Sequence, residues 1–415
     1  MNSGLRTLTT VLLTAIMAMA VFVGGFVAGH YTALPDSPLF ALAGAGNLNG
    51  GDTAPDSRDA IFAPFWEAWD LVHQQYVDQP VDDVILMRGA LQGMMEALDD
   101  APTRYMAPEE YAIITSDQSG ELQGIGAYVE GVEGVGLRII SPFPGSPAEA
   151  AGLLPGDLVT QVDDTDITQM TEYEAIALVR GAAGSAVRLT VLREGTPEPV
   201  EYTVTRAKIV IPSIESEMLA GQVGYVKIND FGSRTLTELK DALRALTQQD
   251  AVALIVDLRG NPGGYRDTAI DVASQFLPRG ALVMREQYAD GHEVTYKAQG
   301  GGLATDLPVI VLINAGSASA SEIVAGAIND HDRGALLGEV SFGKGTVQTW
   351  HDLQGDNGAV SLTIARWLTP NGGWIQGEGI TPDVTVELTE ADRAAGLDPQ
   401  LERALELLLS GEAVP

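Results

Sequence analysis

A chain of 415 residues exceeds what one compact core organises, so two or three domains are expected. Against 24 basic side chains stand 56 acidic ones, and the formal charge of −32 repels phosphate backbones, which argues against nucleic-acid binding. The sequence lacks cysteine, which removes disulfides, thiolate nucleophiles and cysteine zinc sites; the histidines, His30, His73, His292, His331 and His351, show no metal-ligand spacing, so no metal and no cofactor is expected.

From Leu8 to Ala28 the chain is apolar or small, with only threonine as a polar interruption, after a short stretch carrying Arg6. About 20 such residues cross the ~30 Å hydrocarbon layer as a helix. Residues 1–30 therefore read as a transmembrane anchor, or as a signal peptide cleaved near Ala18-Met19-Ala20. Either way the body is exported, and with Arg6 inside it faces the extracytoplasmic side of the cell membrane. Residues 31–57, with Pro35, Pro38, Gly44, Gly46, Gly50 and Gly51, read as a flexible tether.

Residues 58–117 form an N-terminal helical region. Phe62, Phe65, Trp66, Trp69, Val72, His73 and Tyr76 recur at helical steps, which gives His73 a packing role. A second helix carries Val84, Met87, Leu91, Met94, Met95 and Leu98 and stops at Asp99-Asp100-Ala101-Pro102. From 118 to 207 short strands and turns take over, with Gly124-Ile125-Gly126-Ala127, Ser146-Pro147-Ala148-Glu149-Ala150-Ala151-Gly152-Leu153 and Pro155-Gly156-Asp157 in succession. This segment resembles a PDZ domain, a β-rich α+β unit. The resemblance implies that Gly124, Ile125, Gly126 and Ala127 hold a peptide's C-terminal carboxylate on backbone N–H groups while the peptide adds a strand to the sheet edge.

Residues 208–389 alternate strands (Val223–Ile228, Ala251–Leu258, Leu307–Ile313) with helices (Leu236–Leu246, Asp267–Phe276, Ser321–Asp330), which predicts an α/β core. Residues 390–415 end in an amphipathic helix with Leu401, Ala404, Leu405 and Leu408, a candidate contact for a homodimer.

Four clusters lie in the α/β part. Asp257-Leu258-Arg259-Gly260-Asn261-Pro262-Gly263-Gly264 follows a buried strand, where glycines let backbone amides approach a substrate, though a plain strand-to-helix turn has the same form. Gly316-Ser317-Ala318-Ser319-Ala320-Ser321-Glu322 precedes a helix, whose start stabilises negative charge, though serine is also a favoured N-cap. Ser341-Phe342-Gly343-Lys344-Gly345-Thr346-Val347-Gln348 enters a strand; Gly377-Glu378-Gly379-Ile380-Thr381-Pro382-Asp383 reads as an ordinary loop.

Taken in order, these motifs resemble the C-terminal processing peptidases, the tail-specific S41 proteases, across about residues 60–412. The resemblance implies a crotonase/ClpP-like serine protease core in a multidomain chain. It places the nucleophile on Ser319, the base on Lys344 and its hydrogen-bond partner on Gln348. The oxyanion donors become the Ala320 amide and an amide of Gly263 or Gly264. Arg180, in Leu178-Val179-Arg180-Gly181, matches a position that reports PDZ occupancy, and a solvent-facing arginine is the plain alternative. The implied substrates are exported proteins with free, apolar C-termini.

The chemistry fits these residue types. Acyl-enzyme hydrolysis needs a hydroxyl deprotonated as it attacks, and a lysine buried among apolar groups can be neutral enough to take that proton. Glutamine can orient the amine without the charge by which a carboxylate would raise its pKa. Three rivals remain at this level: a silent PDZ scaffold with Ser319 as a mere cap, a His-dependent protease using His331 or His351, and an acyl-CoA enzyme of the crotonase type.

Overall fold

The computed structural model describes residues 57–118, 121–196 and 198–411, and it divides into two units, Met1–Asp82 and Asp83–Pro415. The segments read as anchor or signal and as tether lie outside the described residues, apart from Ser57. Among the described residues no helix is long and apolar enough to cross a membrane. In the first unit, helix α1 (Arg58–Gln75) starts at the N-cap Ser57 and carries its aromatic stripe with none of its residues buried. The rings cover one another instead, and His73 stacks on Trp69 at 5.2 Å.

The second unit opens with α2 (Asp83–Glu96), the short strand β1 (Arg104–Met106) and α3 (Pro108–Gln118). Strand β2 (Glu121–Gly124) then pairs antiparallel with β9 (Ala207–Val210), and the pair forms a stem through which the chain enters and leaves an inserted domain. Between them lie β3 (Ala127–Val132), β4 (Gly136–Pro142), the single turn α4 (Pro147–Ala150), β5 (Leu158–Val162), β6 (Thr165–Asp166), α5 (Glu172–Val179), β7 (Ala186–Leu192) and β8 (Val200–Thr205). The antiparallel sheet runs β3-β4-β5-β7-β8, with β6 beside β5, so β3 is an edge strand. Its core (Leu137, Ile139, Leu153, Ile167, Leu189, Val191) is separate from that of the rest of the unit. A capping box, Thr171 with Glu174, starts α5.

The remaining elements are β10 (Ile214–Met218), β11 (Val223–Ile228), α6 (Thr235–Gln248), β12 (Ala253–Asp257), α7 (Arg266–Ala273), β13 (Leu282–Tyr288), β14 (Glu293–Lys297), β15 (Val309–Ile313), α8 (Ala320–Asp330), β16 (Ala335–Gly338), β17 (Thr346–Asp352), β18 (Ala359–Leu368), β19 (Val384–Thr385), α9 (Glu390–Ala395) and α10 (Pro399–Ser410). One sheet runs β10-β11-β12-β15-β16-β19, parallel except for β10. Strands β12 and β15 are buried at every residue, as parallel strands covered on both faces must be. One face packs Leu254, Val256, Val311 and Ile313 against α6, α7 and α8. The other packs Ile255, Ile310 and Leu312 against Ala404 and Leu407 of α10. The apolar side of α10, offered by sequence to a second subunit, is thus used within the chain. Arg259 fastens its start, donating to Asp398 at 2.8 Å and to Gln400 at 2.9 Å.

A second, antiparallel sheet runs β1-β18-β13-β14, with β17 also on β18. Strand β18 is its hub. Between Val347 and Gln348 the register shifts, so that Val347 faces Ala365 and Gln348 faces Thr363, with Ile364 as the extra residue of a bulge.

Candidate active site

The nucleophile candidate sits where strand β15 turns into α8. Ser319 is the N-cap of α8 and is held at φ 54°, ψ −111°, a backbone conformation that a non-glycine residue adopts only under constraint. The constraint comes from its neighbours. The Ser317 hydroxyl donates to the Leu258 carbonyl at 2.8 Å, the Ser321 hydroxyl donates to the Asn261 carbonyl at 2.9 Å, and the Ala318 amide also donates to Asn261 O at 3.0 Å. Ser317 and Ser321 are fully buried and their protons are committed to backbone acceptors, which leaves the middle serine as the hydroxyl on the cleft.

Asn261 shapes the facing turn. Its Nδ2 donates to Ile228 O at 2.7 Å and its Oδ1 accepts from the Gly263 amide at 2.8 Å. That bond occupies one of the two candidate oxyanion donors. Among the described residues no hydrogen bond engages the amides of Gly264 and Ala320. Gly263, at φ 105°, passes so close to the serine turn that a Cβ there would lie 2.9 Å from Ser319 Cβ and 3.0 Å from Ala320 N. With Ser319 as the expected nucleophile, Gly263→Ala should lower kcat by about 10²-fold, because displacing a reacting group by ~1 Å costs that much. Steady-state cleavage kinetics beside a thermal melt check this, and unchanged kcat would contradict the close approach.

The base candidate arrives on another loop. The Lys344 amide donates to Glu322 Oε2 at 3.0 Å, and the Ser319 amide donates to the same oxygen at 2.8 Å. The other oxygen, Oε1, accepts from the Ser341 hydroxyl and the Gly343 amide, both at 2.6 Å. Glu322 is fully buried, so one carboxylate ties the serine turn to the lysine loop. The loop 377–383 read as ordinary also contributes, together with Gln376 just before it. Gln376 Oε1 accepts from the Gly345 amide at 2.8 Å, and the Ile380 amide donates to Ser341 Oγ at 2.7 Å. These contacts make residues 376–380 the cradle of the lysine loop. The Trp367 indole closes it by donating to Lys344 O at 2.7 Å.

Burial holds the Lys344 amine below the usual lysine range. The Glu322 and Asp100 carboxylates oppose that shift and the Arg104 guanidinium assists it. Gln348 donates through Nε2 to the hydroxyls of Thr346 at 2.9 Å and Thr363 at 3.0 Å. Ser319, Ala320, Gly263, Gly264, Lys344 and Gln348 all line one cleft of about 720 Å³, whose walls include Ile323, Val347, Trp350 and Trp367. Within that cleft no hydrogen bond links Ser319, Lys344 and Gln348 to one another among the described residues.

The histidines lie elsewhere. His331 caps the far end of α8, ~18 Å along the helix from Ser319 at 1.5 Å per residue, and one ring nitrogen is hydrogen-bonded to Leu282 O at 2.7 Å. Neither His331 nor His351 is among the residues lining the cleft.

In the inserted domain, Gly124, Ile125, Gly126 and Ala127 border a small apolar pocket of about 80 Å³ with Leu137, Ile176 and Val179. A Cβ on Gly126, at φ 76°, would sit 2.7 Å from Ser146 Cβ, so glycine is required for the turn. Among the described residues no hydrogen bond engages the Ile125 and Gly126 amides, and edge strand β3 follows directly. Arg180 borders the same pocket, and its guanidinium donates to Ser116 of α3 at 2.7 Å, so it faces a neighbouring helix rather than open solvent. Helix α3 in turn reaches the cleft wall. The Tyr111 hydroxyl donates to Asp352 at 2.7 Å, and its ring packs edge-on to Trp350.

A family model described as peptidase family S41 matches residues 222–386, a PDZ-domain model matches 138–193, and one described as the activating protease CtpB N-terminal domain matches 45–110. The chain is 35% identical over 398 residues to the carboxy-terminal processing protease CtpA of Bacillus subtilis, covering 96% of this chain and 80% of that protein. The chain belongs to peptidase family S41. A second relative of this S41 peptidase, the carboxyl-terminal-processing protease of a Synechocystis species, is 36% identical over 354 residues, 83% of this chain and 82% of that one. Among solved structures, the photosystem II D1 C-terminal processing protease aligns with TM-score 0.51 and 31% identity, over 80% of this chain and 94% of the other. The S41 peptidase is thus a PDZ-containing protease of the C-terminal processing family.

Proposed function

We propose that this S41 peptidase is a serine endopeptidase that cuts exported proteins near or from their C-termini, with Ser319 as nucleophile and Lys344 as general base. The observation that carries the reading is the Glu322 carboxylate, which holds the backbones of both residues against one cleft. In the reaction, Ser319 Oγ attacks the scissile carbonyl as its proton passes to the neutral Lys344 amine. The resulting ammonium protonates the leaving amine, and Lys344 then deprotonates the water that releases the acyl group from Ser319. The oxyanion accepts from the Ala320 and Gly264 amides, Gly263 being engaged with Asn261. The PDZ pocket takes an apolar C-terminal side chain, and Ile125 and Gly126 offer amides to its carboxylate. Arg180, through Ser116 and α3, provides a route by which occupancy reaches the cleft wall. The segment 8–28 exports the body and, if retained, tethers it to the membrane.

The test is cleavage of an unfolded protein with an apolar C-terminus. Ser319→Ala is expected to remove activity and His331→Ala to retain most of it. A wild-type enzyme that cuts no such substrate, with or without a C-terminal peptide present, would return the chain to the scaffold reading.

A further inference from the structure

Gln348 is tied by a hydrogen-bonded chain to a residue far from it in sequence. Asp100 follows α2 and lies beside β18. Its Oδ2 accepts from two hydroxyls at 2.6 Å, those of Thr103 and Thr363. Thr103 Oγ1 in turn accepts from the Thr363 amide at 3.0 Å, so the loop at 100–103 clamps both the backbone and the side chain of Thr363. Across the bulge, Thr363 stands opposite Gln348, whose Nε2 donates to it. The direction of each bond follows from proton counting. A carboxylate only accepts, so the single Thr363 hydroxyl proton points at Asp100. The Thr363 oxygen can then only accept from Gln348, and this requires the NH₂ end of the amide. Thr346 Oγ1 takes the second amide proton. Both donors are spent on one side, and the Gln348 carbonyl is left as an acceptor in the cleft it shares with Lys344.

We infer that Asp100 and Thr363 are positioning residues that fix the amide of Gln348 with its carbonyl available to the Lys344 amine. The inference rests on the reading of Lys344 as base and Gln348 as its partner. Without the chain, a flipped amide would offer N–H donors to the amine and turn its lone pair from Ser319. With it, the loop after α2, none of whose residues 99–103 lines the cleft, takes part in the protease site.

Thr363→Val removes the hydroxyl at nearly constant volume, and it is the cleaner probe because Asp100→Asn also removes a charge near Lys344. Thr363→Val is expected to lower kcat by about 10-fold or more with KM within about twofold, since misorientation of a catalytic group acts on the chemical step. Thr363→Ser should restore most of the loss, and Asp100→Asn should lower kcat in the same way. In a Gln348→Ala background, Thr363→Val should change kcat by less than about twofold, as coupled residues behave. Wild-type kcat in Thr363→Val, or an equal loss with and without Gln348, would overturn the inference. Lys344→Ala assayed alongside separates the two claims. Activity surviving that change sinks the base assignment, whereas an essential Lys344 with an indifferent Thr363 sinks only the positioning chain.

Discussion

Lys344→Ala is expected to lower kcat by about 10⁴-fold, because in the proposed mechanism one amine serves as base for Ser319, as acid for the leaving group and as base for water. Lys344→Arg should fare no better, since a guanidinium stays protonated throughout the usable pH range. The wild-type pH profile carries the same signature. Only the neutral amine accepts a proton, so kcat/KM should rise with pH and level off at the Lys344 pKa, which burial sets below the ordinary lysine value. Arg104 lowers that pKa, so Arg104→Gln is expected to move the acid limb to higher pH. Stability has the same pH preference. The folded protein holds this amine less protonated than the unfolded chain does, so the group disfavours folding most below its folded pKa. The penalty fades as pH rises toward the unfolded value near ~10.4. Lys344→Met is therefore expected to raise the melting temperature at neutral pH while abolishing turnover. A melting temperature lowered by that change would deny that the amine is held at a cost. A kcat/KM profile without an acid limb would deny that it is the base.

What could be read from sequence depended on how locally each feature is encoded. Strands β12 and β15 are continuous apolar runs because both faces are covered, and α8 carries Ile323, Val324, Ala327 and Ile328 at helical spacing, so both were legible. Sequence alone ranks Ser319 above Ser317 and Ser321 only by resemblance, because the bonds that bury the two flanking hydroxyls run to carbonyls about 60 residues away. The hairpin of β13 and β14 is poorly encoded although Asp290-Gly291 is a turn signal, because Glu286, buried against Arg266, Tyr288 and Tyr296, breaks the apolar alternation of the strand. Helix α3 has a legible start, Pro108 followed by two glutamates, but no apolar stripe that would set it apart from the rest of the helical region. Asp100 offered no local signal at all. In Asp99-Asp100-Ala101-Pro102 it reads as a helix stop, and its partner Thr363 is 263 residues away. The stretch 377–383 likewise carries no chemical signal in sequence, because it packs against the lysine loop, where a Cβ on Gly379 would collide with Ser341 O at 2.2 Å.

Glu322→Gln should be nearly as damaging as loss of the base, for a reason that proton counting makes plain. Four donors converge on the two carboxylate oxygens. An amide presents one oxygen, so its NH₂ must face either the Ser319 and Lys344 amides or the Ser341 hydroxyl and Gly343 amide. Two bonds to a charged acceptor are lost in a fully buried position, each worth about 1.5–3 kcal/mol. With the NH₂ toward the serine turn, the strained backbone of Ser319 loses one of the contacts that hold it at φ 54°; with it the other way, the lysine loop loses its own. A fall of about 10²–10³-fold in kcat/KM is expected, with a lower melting temperature. Glu322→Asp keeps the charge but retracts it by one methylene, and it should not rescue turnover, because the carboxylate must reach both loops at once. A role in stability alone predicts a further outcome that can be excluded. The Glu322 charge raises the Lys344 pKa, so removing it should move the surviving activity's acid limb to lower pH. If the limb stays where it is while the rate falls, Glu322 holds the fold together without acting on the base.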